Sequence, residues 1–261
     1  MEALLTGTVL YLYGLVPAGV DITGLPAVEE GSDIFLVVRD GIACIASAVP
    51  ASAYQCPAGA STAAAQLEWV TPRACRHHDV LQRLHRTGTV VPLKFGTLCA
   101  DAAQVQALLE DHHGAVVALL AQFAGKDEWT LNILVDETAL SAALQRDDPD
   151  LVRLAEEERC LPEGRAYFAR KKLQKATAER VEELRAHVGR AVLERLCRLG
   201  IEIALGHDAA APPALLVERA RFAELEAALD ELEQAHASAF VRFELVGPWP
   251  PYSFTTTMGA P

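Results

Sequence analysis

"EWTLNILV", residues 128–135, decides how this chain is organised. Trp129, Leu131, Ile133 and Val135 alternate with the polar Thr130 and Asn132, the period-two pattern of a strand with one dominant buried face. A long charged helical region follows. Within it Leu173, Thr177, Val181, Leu184, Val188, Val192, Leu196 and Leu199 recur at spacings of three and four until Gly200 closes the helix. "IEIALG" (201–206) and "PALLVERA" (213–220) read as short strands across a His-Asp-Ala-Pro loop. Residues 221–237 give an amphipathic helix through Phe222, Leu225, Leu229 and Leu232, and "AFVRFELV" (239–246) a last strand. Residues 126–261 therefore read β-α-β-β-α-β, the ferredoxin-like split βαβ order, with a Pro/aromatic tail.

Upstream lies a separate pattern. "TVLYLYGLV" (8–16) is dense in β-branched and aromatic residues and stops at Pro17. "DIFLVVRDGIACIASAV" (33–49) sets two apolar runs around Asp40-Gly41, a tight-turn pair, and predicts a β-hairpin. "CPAGASTAAAQ" (56–66) reads as a surface loop, and Thr71-Pro72 as the N-cap and first residue of a helix that buries Val80, Leu81 and Leu84 and ends at Gly88. "TVVPLKFGTLC" (89–99) is a strand interrupted at Pro92 and Gly96. Asp101 caps a helix whose apolar face runs from Val105 to Phe123 before Gly125. The expectation is an α+β protein of two domains, an N-terminal α+β domain over 1–125 and a ferredoxin-like domain over 126–261.

Composition excludes several classes. The formal charge of −12 disfavours nucleic acid and anionic lipid, which reward clustered Lys and Arg. An RNA-binding sheet is disfavoured further because Trp129 fits a core position. No apolar run reaches the roughly 18 residues of a membrane span, and "MEALLTGTVLYLYGLV" lacks a signal-peptide layout, so a cytoplasmic protein is expected. Six scattered cysteines without a CxxC pair read as small buried hydrophobes. "CRHHDVLQRLH" places Cys75 and Asp79 four apart and His78 and His85 seven apart on one helix, which leaves a small-molecule enzyme or metal-binding protein using Cys75, His78 and Asp79 as the alternative reading. No GxSxG, phosphate-binding glycine loop or HExxH occurs, so no catalytic, cofactor or metal residue is assigned and no cofactor is expected.

Two stretches invite a binding role. "RAYFARKKLQK" (165–175) concentrates Arg165, Arg170, Lys171, Lys172 and Lys175 in an acidic chain. It reads either as a solvated helix face paired with the acids of "AERVEEL" (178–184) or as a docking surface for an acidic partner. "GPWPPYSF" (247–254) places three prolines and three aromatic rings on a stiff path that prolines bar from helix and central strand, and it either wraps back over its own domain, where most Trp and Phe bury their area, or presents its rings to a partner.

"YLYGLV" (11–16), "VVPLKFGTLC" (90–99), "DEW" (127–129), "GRAYFARKKLQ" (164–174) and the closing "GPWPPYSF" fall in the order found in the gas vesicle protein F/L family, which the chain resembles over nearly its whole length. The resemblance implies a nonenzymatic accessory or minor structural protein needed for gas vesicle formation. Its implied partners are the small, very hydrophobic shell protein and other accessory proteins of the system. It also implies two α+β domains, the second of modified ferredoxin-like form. On this reading Arg170, Lys171 and Lys172 meet an acidic vesicle partner. Trp249 anchors the tail on the C-terminal domain and holds Tyr252 and Phe254 at the edge of a surface used in assembly. Removing residues 252–261 is then expected to leave a folded protein that no longer supports vesicle formation.

Overall fold

The aromatic and β-branched run near the start forms strand β1 (Thr8–Pro17) in the computed structural model, which describes residues 7–54, 63–206 and 211–255. Every residue of β1 between its ends is buried, so it reads as a near-continuous apolar run rather than an alternating one. Strands β2 (Ile34–Arg39) and β3 (Ile42–Pro50) form the expected hairpin. Asp40 and Gly41 both have positive φ, 47° and 82°, as a two-residue primed turn requires. A short helix α1 (Ala51–Tyr54) and the long helix α2 (Ala63–Thr87) follow.

Helix α2 begins ahead of the expected cap. Pro72 lies inside it, and the alanines before it are helical. Proline removes only one amide donor, and strong helix formers on its N-terminal side can carry the helix past it. The Arg73 guanidinium donates to the neighbouring Trp69 carbonyl at 3.1 Å, within the same turn. Residues 55–62, most of the expected surface loop, lie outside the described residues.

Strands β4 (Val91–Pro92) and β5 (Leu98–Cys99) both pair with β1, completing a five-stranded sheet whose main path is β2-β3-β1-β4. The interruption expected in "VPLKFGT" is this break. The pairing of β1 with β3 shifts register between Leu12 and Gly14. A Cβ at Gly14 would lie 2.9 Å from both the Val91 carbonyl oxygen and Leu81 Cδ2, so "YLYGLV" needs glycine for backbone approach, not for a special φ. Asp101 caps helix α3 (Ala102–Asp111) by accepting from the Gln104 amide at 2.9 Å, and helix α4 (His113–Phe123) follows a break at His112.

Strand β6 (Lys126–Val135) opens the second half, and the charged region behind it resolves into three helices, α5 (Glu137–Asp147), α6 (Pro149–Cys160) and α7 (Glu163–Arg198). The predicted stripe is buried along α7, from Leu173 through Val181 to Leu196, and Gly200 adopts φ 69° beyond it. Strands β7 (Glu202–Ala204) and β8 (Ala214–Glu218), helix α8 (Phe222–Ala235) and strand β9 (Val241–Trp249) complete a four-stranded sheet of order β7-β8-β6-β9. Leu131 is fully buried among Val188, Val192, Leu215 and Leu225, and Trp129 stacks on Phe222 at 4.4 Å. Residues 207–210 of the expected linker lie outside the described residues.

Strand β9 runs on through Pro248 to Trp249, past the point where prolines were expected to end it. It lies at the edge of its sheet, the position where a strand tolerates proline because alternate amides face away from its neighbour. The chain divides into two compact units, residues 1–128 with 247–261 and residues 129–246. The tail thus groups with the first unit, whereas the sequence reading assigned it to the second.

Candidate functional site

The tail is held by polar contacts as well as packing. The Pro248 carbonyl accepts from Gln82 Nε2 at 3.0 Å, and Trp249 lies 5.6 Å from the His78 ring, centroid to centroid. Tyr252 shares a 2.9 Å hydrogen bond with His78 Nδ1 and packs against the first unit's core. The buried carboxylate of Glu128 accepts from the Ser253 amide at 2.8 Å and from Ser253 Oγ at 2.9 Å. Burial pushes the Glu128 carboxyl above its ordinary range, and the two Ser253 bonds offset part of that shift. Burial, aided by the Glu128 charge, likewise pushes the Tyr252 phenol up. Trp249 packs against His78 of α2, within the first unit, and it is half-buried. Tyr252 and Phe254 are half-buried too, so Tyr252 serves as a strut of the fold.

Beneath the tail-bearing helix sits a ring cluster that explains the spacing of "YLYGLV" and "VPLKFGT". Tyr11 and Tyr13 point into one core, with centroids 5.0 Å apart, and the His77 ring stacks on Tyr13 at 5.8 Å. His77 Nε2 lies 3.2 Å from the Leu93 carbonyl, which only accepts, so Nε2 carries the proton and Nδ1 accepts from the Tyr11 hydroxyl at 2.9 Å. Tyr11 oxygen in turn accepts from the Gly96 amide at 3.2 Å. The chain from Leu93 to Gly96 is thereby fixed from both ends. Gly96 holds φ 83°, and the exposed Lys94 side chain makes no contact in this network. Gly96→Val is expected to destabilise by about 1–3 kcal/mol through backbone strain, whereas Lys94→Ala should leave both stability and partner binding unchanged. Urea titrations of the two variants and co-purification with Lys94→Ala check this, and a Gly96→Val chain as stable as the parent, or a folded Lys94→Ala chain that loses its partner, would refute it.

The basic stretch forms the first turns of α7, and its residues differ in what they are free to do. Arg170 donates to Glu158 of α6 at 2.7 Å. The Lys171 ammonium lies 5.9 Å from the centre of the Tyr167 ring. Lys175 pairs with Glu179 at 3.7 Å, as the solvated-face reading supposes. Lys172 and Arg165 make no ion pair within the described residues. Two rings that the sequence reading passed over stand out beside them. Tyr167 is 55% exposed and Phe168 73% exposed, in edge contact at 5.6 Å.

For the enzyme or metal alternative, the structure puts Cys75, His78 and Asp79 on one helix but does not converge them. Cys75 and Asp79 are exposed, and His78 is engaged by Tyr252 and Trp249. Within the described residues, no three His, Cys, Asp or Glu side chains cluster as metal ligands, the cysteines are free, and no helix is long and apolar enough to cross a membrane. His85, the fourth member of that helix set, instead contacts Asp127 at 2.7 Å.

The tail contacts and ring cluster involve the very stretches that carried the family resemblance. Residues 9–256 match the family described as gas vesicle synthesis protein GvpL/GvpF. The chain belongs to this family. It is 27% identical over 256 residues to gas vesicle protein L of Streptomyces sp. (strain CB03234), covering 92% of this chain and 88% of that one. Gas vesicle protein F of the same strain is 29% identical over 181 residues, covering 68% of this chain and 75% of that one. The crystal structure of GvpF from Anabaena sp. PCC7120 superposes with a TM-score of 0.69 at 17% identity, covering 95% of this chain and 98% of that one. GvpF from Microcystis aeruginosa gives 0.59 at 16% identity. These likenesses support the mixed α+β fold.

Proposed function

We propose that this member of the gas vesicle family is a cytoplasmic assembly factor, an adaptor that holds the hydrophobic shell protein until it joins the vesicle wall. The observation that carries the reading is the family match over residues 9–256. A shell subunit apolar enough to bound a gas space would aggregate in water if its apolar surface and strand edges stayed uncovered. Among the described residues strand β2 ends its sheet and pairs on one side only, with β3, which offers a six-residue edge for strand addition. Such an adaptor needs no cofactor and no catalysis. We also infer that the second unit is a modified ferredoxin-like domain. Its β-α-β-β-α-β order and β7-β8-β6-β9 sheet support this, with α5 and α6 inserted ahead of the usual first helix.

Arg170, Lys171 and Lys172 are proposed as contacts for an acidic vesicle partner, with Tyr252 and Phe254 at the rim of a second contact surface. Replacing Arg170, Lys171 and Lys172 together by Gln is expected to leave the thermal midpoint nearly unchanged, since exposed ion pairs contribute only about 0–1 kcal/mol each. Capture of the acidic partner should weaken and lose its salt dependence. The adaptor reading itself is tested by co-purification from vesicle-forming cells. Recovery of the shell protein with this chain supports it, and a chain that never carries shell protein overturns it.

A further inference from the structure

We infer that the tip of the α6–α7 hairpin is a docking knob for a different protein, one presenting an acidic segment interleaved with apolar side chains. The inference rests on the assembly-factor reading above and names the chemistry of one partner. The knob is built by Tyr167, Phe168 and Leu161, the last 37% exposed, on the first turns of α7 and the residue before Pro162. Phe168 is the most exposed large apolar side chain within the described residues, and its ring meets the neighbouring Tyr167. Aromatic rings flanked by cations are the residue types that dominate binding energy at protein interfaces.

The charges choose the partner. Arg170 already holds Glu158 through Nε and Lys171 lies against the Tyr167 ring, whereas Arg165 and Lys172 on the same turns have no ion pair within the described residues. A facing carboxylate would therefore gain a cation without breaking an existing pair. A second copy of this chain supplies carboxylates too, but each copy carries a formal charge of −12, so mutual repulsion opposes self-association. An anionic lipid surface would meet the same repulsion from the rest of the chain. A separate protein with a local acidic and apolar segment meets both demands of the knob without that penalty over its whole surface. Tyr167 and Phe168 then fill apolar recesses of the partner, and Arg165 and Lys172 meet its carboxylates at the rim.

The experiment is photo-crosslinking in cells forming vesicles, with a benzophenone side chain at position 168 in place of Phe168 and, as control, at the exposed Leu67 of the first unit. The expected adduct joins position 168 to a peptide that carries carboxylates and apolar residues within a few positions of the attachment point. Adduct yield should fall roughly tenfold or more with Arg165→Glu and Lys172→Glu together. The chains should melt like the parent, because the substituted side chains face solvent. If the double swap unfolds the tip, Lys172→Glu alone is read in the same way. An adduct to another copy, to lipid or to a basic peptide overturns the inference, as does the absence of an adduct or a yield indifferent to the charge swap. Each of those results leaves the adaptor reading to stand or fall on co-purification with the shell protein.

Discussion

Ending the chain at Pro251 lowers stability by about 3–5 kcal/mol, the expected result of removing both donors from a buried carboxylate together with a packed ring. Glu128 is 5% exposed, and the Ser253 amide and hydroxyl both bond its carboxylate. Without residue 253, that carboxylate must either remain charged and unpaired or take up a proton. Losing Tyr252 also removes the hydrogen bond to His78 Nδ1 and the ring's packing on the first core. The sequence alone had suggested that this truncation leaves the fold intact. The geometry adds a cost to that expectation, because the tail groups with the first unit. Urea unfolding of the parent and the shortened chain measures the loss. A double-mutant cycle with Glu128→Gln isolates the carboxylate, since the neutral amide should cost more stability in the full chain than in the shortened one. A truncated chain that unfolds at the parent's urea midpoint, or a cycle with no coupling, would show that Ser253 contributes nothing to burying Glu128.

What could be read early was what is local. Asp40-Gly41 fixes a hairpin because the two-residue turn needs left-handed backbone at both positions, and the observed angles supply it. The stripe from Leu173 to Leu196 revealed α7 because helical period and burial act along one element. Gly96 was legible as an interruption, though not as the amide that bonds Tyr11. What could not be read depends on residues far apart in sequence. Glu128 lies on the polar face of an alternating strand, and nothing near it announces that Ser253, 125 residues later, will satisfy its carboxylate. Arg170 looked free for a partner until α6 brought Glu158 to it, while Tyr167 and Phe168 read as ordinary members of a helix whose burial the pattern could not assign at its N-terminal end. The tail prolines suggest an extended path, but nothing in them indicates the unit on which that path lies.

The second large effect is an acid sensitivity that originates at His77. Burial lowers its pKa from 6.5 to about 4, the nearby His78 adds to that shift, and the Leu93 carbonyl partly opposes it. Both ring nitrogens are already committed, Nε2–H to Leu93 and Nδ1 to the Tyr11 hydroxyl, so a second proton would place a donor against the hydroxyl that now donates to it. The unfolded chain binds that proton near 6.5, the folded one only near 4. Stability associated with His77 is therefore complete above pH 6.5 and is lost as pH falls toward 4, by about 3 kcal/mol in all. Glu128 acts in the opposite sense. Its raised pKa means that the folded state holds its proton more tightly, which adds stability as pH falls from the raised value toward the ordinary one. The two contributions are separated by the difference between parent and His77→Gln, measured as urea midpoints at several pH values between 4 and 7. Gln lowers stability at neutral pH by losing part of the hydrogen-bonded network, and its curve should be flatter through the window in which His77 titrates. Equal slopes for parent and variant would mean that His77 takes up its proton in the folded chain without penalty, and that the contacts among Tyr11, Leu93 and Gly96 do not depend on a neutral imidazole.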